Sequence, residues 1–173
     1  MITRKLTTIV AFAALLMVLA ACDLQPASPT AVPSSTSTVA VPPNVTVSPG
    51  TLAPGALLAY GVTGGIAGFN SALVLEDSGN YTGMSLNGEP KSGTLDQATL
   101  GKIKGQLDAV RSMADLQLSY DNGNVADDIY RTVTFESNGT PVAVMVAEQG
   151  GKDITPAPLQ QLISTLRDAF EKP

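Results

Sequence analysis

Few residues in this chain could do chemistry, and the absences are informative. Histidine does not occur among the 173 residues. That removes the usual general base for a serine or cysteine nucleophile and the commonest metal-binding side chain. The single cysteine, Cys22, can form no internal disulfide. Four glycines, Gly61, Gly64, Gly65 and Gly68, stand close together. A phosphate-cradling dinucleotide loop needs G-x-G-x-x-G between a strand and a helix. Here the spacing is different and a strand follows, so the glycines read as a turn that demands positive φ and close backbone approach. Such a turn forms a shaped loop with Ile66 and Phe69 available to a partner. Lys91-Ser92-Gly93 matches one short box of penicillin-recognising enzymes, but the domain is far too small for that fold. Asp121, Asn122, Asn124, Asp127 and Asp128 form an oxygen-rich cluster. Calcium favours oxygen ligands, yet the spacing fits no calcium loop and reads better as a solvated turn. Glycosidase chemistry needs two facing carboxyl groups at set distances, and no pair of acids here argues for them. The chain reads as a non-catalytic protein without a cofactor.

Cys22 has a different use. Arg4 and Lys5 open the chain, and Ile9 to Ala21 follow without a charge. A cationic start, an apolar centre and small residues before a cut site mark an export signal. The apolar run of about 14 residues is short of the roughly 20 needed to span a bilayer as a helix. Leu19-Ala20-Ala21-Cys22 resembles the lipobox of bacterial lipoproteins, in which the cysteine is lipidated and becomes the new N-terminus. The resemblance implies a mature protein held to the cell membrane on its extracytoplasmic face through lipidated Cys22. One acyl chain binds a bilayer only marginally; the several chains of that chemistry anchor stably.

Removing Arg4 and Lys5 with the signal leaves eight Lys and Arg against fifteen Asp and Glu, a mature balance of −7. An acidic surface argues against nucleic acid, whose phosphates demand basic stripes. It also offers anionic lipid no electrostatic attraction. Residues 22–56 are a linker rich in Pro, Ser and Thr, and no charged residue occurs between Asp23 and Glu76. Such composition cannot bury enough apolar surface to offset chain entropy. Its length reaches roughly 30 Å as a coil or about 100 Å extended. The expected organisation is therefore residues 1–21 as signal, 22–56 as lipidated cysteine and linker, and 57–173 as one folded domain.

The elements that must position the glycine loop follow from periodicity. Leu57 to Val62, Phe69 to Glu76 and Tyr81 to Leu86 read as three strands, joined by connections too short for crossover helices. Asn87-Gly88-Glu89-Pro90 ends that meander. Asp96 suits a helix N-cap, with Leu95 and Leu100 placed as a hydrophobic staple. Leu100, Ile103, Leu107 and Val110 then repeat at helical spacing. Met113 to Asn124 carries no readable element. Ile129 to Phe135 reads as a strand with Ile129, Val133 and Phe135 on one face, and Asn138-Gly139 as a hairpin turn. Val142, Val144 and Val146 supply the inward side of its partner strand. A last helix starts around Thr155 to Pro158 and lines up Leu159, Leu162, Ile163, Leu166 and Phe170. The expected fold class is α+β: an antiparallel sheet of about five strands in the order βββ-α-ββ-α, covered by two helices.

Tyr60 to Phe69, reading Y-G-V-T-G-G-I-A-G-F, resembles the S-G-G-F-A-G signature near the start of emfourin-like domains. Leu95-Asp96 opening the first helix, Asp128-x-Tyr130 opening a strand and a proline-led closing helix extend the resemblance over most of residues 57–170. Thr63 stands where the signature has serine, and Ile66 where it has phenylalanine. Emfourin is a proteinaceous inhibitor of thermolysin-like metalloproteases of the protealysin group. The resemblance implies a binding domain whose partner is an extracytoplasmic metalloprotease, with Gly64, Gly65, Ile66, Gly68 and Phe69 at the contact. The alternative reading is a structural or sensory envelope lipoprotein that binds a peptide or polymer and inhibits no protease.

Overall fold

A computed structural model of the protein describes residues 51–172. The expected export signal of residues 1–21, Cys22 and the expected linker up to residue 50 lie outside the described residues. Within them the chain runs β1 (Ala56–Gly64), β2 (Phe69–Glu76), β3 (Asn80–Met84), β4 (Pro90–Thr94), α1 (Gln97–Arg111), β5 (Ser119–Tyr120), β6 (Ile129–Ser137), β7 (Thr140–Ala147) and α2 (Ala157–Phe170). The class is α+β, with one mixed sheet in the order β4-β3-β2-β1-β6-β7-β5.

The sheet is wider than the five antiparallel strands expected. Five of its seven strands are the expected ones; β4 and β5 are additional. The turn at Asn87-Gly88 does not end the meander but reverses it: Ser85 N–H donates to the Glu89 carbonyl at 2.8 Å, and β4 pairs with β3. β4 reads Pro-Lys-Ser-Gly-Thr, an edge strand with no apolar alternation to betray it. Proline and lysine on an exposed edge also discourage further strand addition. β5 is two residues long and pairs parallel with β7, which makes the sheet mixed. It supplies buried Tyr120, whose hydroxyl accepts from Gln117 N–H at 2.9 Å.

One face of the sheet carries the core. Leu58, Tyr60 and Val62 of β1 lie beside Leu73 and Leu75 of β2 and Val133 and Phe135 of β6. The helices close over them with Leu100, Ile103, Leu107 and Val110 from α1 and Leu159, Leu162, Leu166 and Phe170 from α2. These rows are the ones the three-to-four-residue spacing marks out. Alternation puts small and β-branched residues on the other face, where Ala59, Gly61, Thr63, Ala72, Thr132 and Thr134 line a shallow trough.

The ends of the elements follow local chemistry. Asp96 caps α1: its Oδ1 accepts from the amides of Ala98 and Thr99 at 3.0 and 2.9 Å. Leu95 packs against the cluster that contains Leu100, as the staple requires. Asn138 and Gly139 both take positive φ in the β6–β7 hairpin. α2 begins after Pro156 without a side-chain cap. Instead Gln160 Nε2 reaches back to the carbonyls of Lys152 and Thr155 at 3.0 and 2.8 Å.

Candidate functional site

The glycine stretch forms the hairpin between β1 and β2, and its shape comes from backbone contacts. Gly64 pairs with Phe69 on one side and Ile129 on the other. Its φ is +91°, and a Cβ there would lie 2.4 Å from the Asp128 carbonyl oxygen, so only glycine fits. Gly65 donates to that same carbonyl at 3.0 Å and accepts from Gly68 N–H at 2.9 Å, closing the turn. Gly65 and Gly68 also have positive φ; Gly65 faces the Ile129 side chain, whereas Gly68 faces open space.

The five expected contact residues therefore share one hairpin but differ in role. Gly64 and Gly65 shape it against the strand beside it. Phe69 is half-buried and packs against the core, anchoring the returning strand. Ile66 sits at the tip, 92% exposed, and is the large side chain that the hairpin presents. A fully exposed isoleucine at the apex of a turn fixed on both sides is a geometry suited to insertion into an apolar recess.

Behind the hairpin, Asp128 acts as the brace. The residue is only 3% exposed. Its carboxylate accepts from the amides of Ile129 at 2.7 Å, Gln149 at 3.1 Å and Gly150 at 2.8 Å. Burial raises its pKa, but these backbone hydrogen bonds outweigh that and hold it below the usual carboxylate range. Through its carbonyl and carboxylate, Asp128 ties the hairpin to the loop after β7. Asp121 and Asn122 of the oxygen-rich cluster are likewise used internally, whereas Asn124 and Asp127 are exposed. Asp121 accepts from Gly123 N–H at 2.8 Å and from the Tyr130 hydroxyl at 3.2 Å. Asn122 accepts from Asn124 N–H at 3.0 Å, and its own amide donates to the Gly150 carbonyl. The bond to Asp121 raises the Tyr130 pKa. A Cβ at Gly150 would lie 2.5 Å from Asp121 Oδ1, so that side chain would have to shift. Among the described residues, no group of three or more His, Cys, Asp or Glu is placed to hold a metal ion.

A second charged cluster lies on the core face of the sheet. Arg131, on β6, has its side chain only 6% exposed on the core face. Its Nε and Nη2 grip the two carboxylate oxygens of Glu171 at 2.9 Å each, and Nη1 reaches Glu148 at 2.9 Å. The Tyr60 hydroxyl donates to Glu171 as well. Burial opposes the charge on both Arg131 and Glu171, but their bidentate pairing wins: the arginine pKa rises and the carboxylate pKa falls. Burial, and then the bond to Glu171, push the Tyr60 pKa up. The cluster pins the C-terminal end of α2 across β1 and β6, and Lys91 Nζ holds the last helical carbonyl at Phe170 from β4 at 2.8 Å. Strand alternation contains the missed signal, because Arg131 has the same parity as Ile129, Val133 and Phe135.

No family model matches this chain, and a search of curated proteins returns no match.

Proposed function

We propose that this chain is a membrane-anchored extracytoplasmic lipoprotein carrying a non-catalytic protein-binding domain, and that the domain inhibits thermolysin-like metalloproteases. The reading rests on one observation above all: Ile66, 92% exposed, at the apex of a hairpin that is closed by the Gly68 to Gly65 hydrogen bond and held on its Gly65 side by the Asp128 carbonyl. A loop already held in its bound shape gives up little conformational freedom on docking, so contact energy is not spent on ordering it. The hairpin enters the protease cleft, Ile66 fills an apolar recess, and the sheet behind resists displacement. Emfourin-like character of the Tyr60–Phe69 stretch names the partner class, and the leader ending at Cys22 names the place. Among the described residues no helix is long and apolar enough to cross a membrane; the lipobox-like Leu19–Cys22 is what supports attachment through a lipid on Cys22.

The test uses the mature chain from residue 22 with Cys22→Ser, so that it carries no lipid. This protein inhibits a thermolysin-like protease at micromolar concentration, and Ile66→Asp abolishes the inhibition while leaving the thermal midpoint unchanged. Full protease activity in the presence of excess protein overturns the inhibitor reading. Separately, labelling with a radioactive fatty acid marks the wild-type chain and not Cys22→Ser; labelling of both overturns the anchor.

A further inference from the structure

A cleft of about 200 Å³ opens between the end of β7, the loop that follows it and the outer side of α2. It is separate from the glycine hairpin and does not depend on the reading given to that hairpin. Val146 and Ile163 contribute an apolar floor, the Arg131–Glu148 pair forms a wall, and Lys152 and Arg167 line the opening. The charges here do not balance. Three cations, Arg131, Lys152 and Arg167, line the cleft with one carboxylate, Glu148; Glu171, which does not line it, pairs with Arg131 from outside. Both acids are already engaged by Arg131, and Glu148 is also held by Arg167 at 3.2 Å. Among the described residues Lys152 pairs with no carboxylate, and neighbouring Asp153 does not line the cleft. With Arg131 and Arg167 both paired to carboxylates, Lys152 is the lining cation left over, in a protein whose net charge is −5.

We infer that this cleft binds an aliphatic monocarboxylate, either a free acid or the C-terminal residue of a peptide. A single negative charge matches the single unpaired cation, Lys152, whereas a phosphate dianion would meet stronger repulsion from Glu148 in the wall. The apolar floor and the volume favour a ligand with a hydrocarbon portion over a bare inorganic anion. Lys152 supplies a mobile point charge at the entrance. Arg167 keeps donors beyond the one committed to Glu148, so it can share in holding the carboxylate.

The experiment is an NMR titration of the mature chain carrying Cys22→Ser with two probes: 4-methylpentanoate, and the peptide acetyl-Ala-Ala-Leu with a free C-terminus. Each is compared with its carboxamide. At least one acid saturates shifts of the Val146, Ala147 and Ile163 amides, and its carboxamide binds at least about tenfold more weakly, the loss expected for a charge-assisted contact. The double variant Lys152→Gln/Arg167→Gln weakens the acid by a similar factor. Both side chains are exposed, and an unchanged thermal midpoint verifies the fold. Saturation by 4-methylpentanoate alone assigns the site to small acids, and saturation by the peptide alone assigns it to chain ends. Failure of both acids to saturate at tens of millimolar, equal binding of the carboxamides, or undiminished binding by the double variant overturns the inference.

Discussion

Asp128 and Arg131 lie three residues apart at the entry to β6, both nearly inaccessible to water, and the fold stabilises their charges in opposite ways. Asp128 is solvated by main chain: three amides from two segments converge on its carboxylate. Arg131 is neutralised by side chains, Glu171 in a two-bond grip and Glu148 beside it. A charge held by backbone amides shapes loops, because those amides belong to segments that would otherwise be free. A charge held by counter-ions joins whole elements, here α2 to the centre of the sheet. The first arrangement is local and stands behind the glycine hairpin. The second is global and sets whether the C-terminal helix stays docked.

The sharpest way to break the comparison is Arg131→Ala. It leaves Glu171 in a buried site with the Tyr60 hydroxyl and the more distant Arg167 Nε, 4.0 Å away, beside it, and costs about 3 kcal/mol, read as a lower urea midpoint of the whole domain. Arg131→Met combined with Glu171→Gln recovers most of that loss, since no buried charge is then left unpaired. The pH dependence has a definite sign at each end. Glu171 has a depressed pKa in the folded state, so the unfolded chain takes up protons first. The stability it contributes is present above the ordinary carboxylate range and is lost as pH falls through and below that range. Tyr60 has a raised pKa, so its contribution is complete below about pH 10, the ordinary tyrosine value, and is lost as pH rises above it. Denaturant melts across pH read both slopes; Glu171→Gln flattens the acid limb and Tyr60→Phe the alkaline one. A local role for Arg131 would instead leave the midpoint within the scatter of surface substitutions.

Smaller and more confined effects belong to Asp128. Asp128→Ala leaves the amides of Gln149 and Gly150 without an acceptor and costs about 1–3 kcal/mol. Its distinctive mark is in hydrogen exchange: the Gln149 and Gly150 amides lose protection, while those in the centre of β1 keep theirs relative to global unfolding. Gly64→Ala and Gly68→Ala divide the hairpin further. Both positions have positive φ, but only Gly64 meets the backbone of Asp128. Gly64→Ala therefore distorts the strand pairing, whereas Gly68→Ala bears only the conformational cost of roughly 1–2 kcal/mol. Equal melting temperatures for the two variants would show that the close approach at Gly64 is unimportant.

Much of this architecture is legible in the residues, and the parts that are not share a cause. Asp96, the apolar rows of both helices, the Asn138-Gly139 turn and the Phe69–Glu76 strand announce themselves because each is specified by its own neighbours in the chain. β4 and β5 do not, since their pairing is imposed by β3 and β7 and their own side chains carry no period. The oxygen-rich stretch reads as a solvated turn, and Asn122, Asn124 and Asp127 are exposed, but Asp128 is buried and its use depends on Gln149 and Gly150, some twenty residues away. Arg131 interrupts an apolar face, and its explanation lies at Glu171, at the far end of α2. Local code writes the elements; charges buried between distant segments have to be found in space. The glycine loop falls between: positive φ is as composition implies at Gly64, Gly65 and Gly68 but not at Gly61, which lies within β1, while the division into shaping glycines, anchoring Phe69 and presented Ile66 follows from packing.

The smallest expected effect on stability is also the one that separates the hairpin most clearly from the Arg131 cluster. Ile66→Ser removes a large apolar side chain, yet that side chain is 92% exposed and its loss opens no cavity. A surface substitution of this kind changes stability by no more than about 0.5 kcal/mol in either direction, so the urea midpoint stays put. Exposed apolar area does have a consequence for association, and on the proposed function Ile66→Ser weakens protease inhibition without touching the fold. Arg131→Ala has the opposite profile: any inhibition lost is lost in proportion to the fraction unfolded and returns under stabilising conditions. Measuring inhibition and melting on the same samples places each variant on one of those two lines. An Ile66→Ser protein that melts early would mean that the tip is bound into the domain rather than offered to a partner.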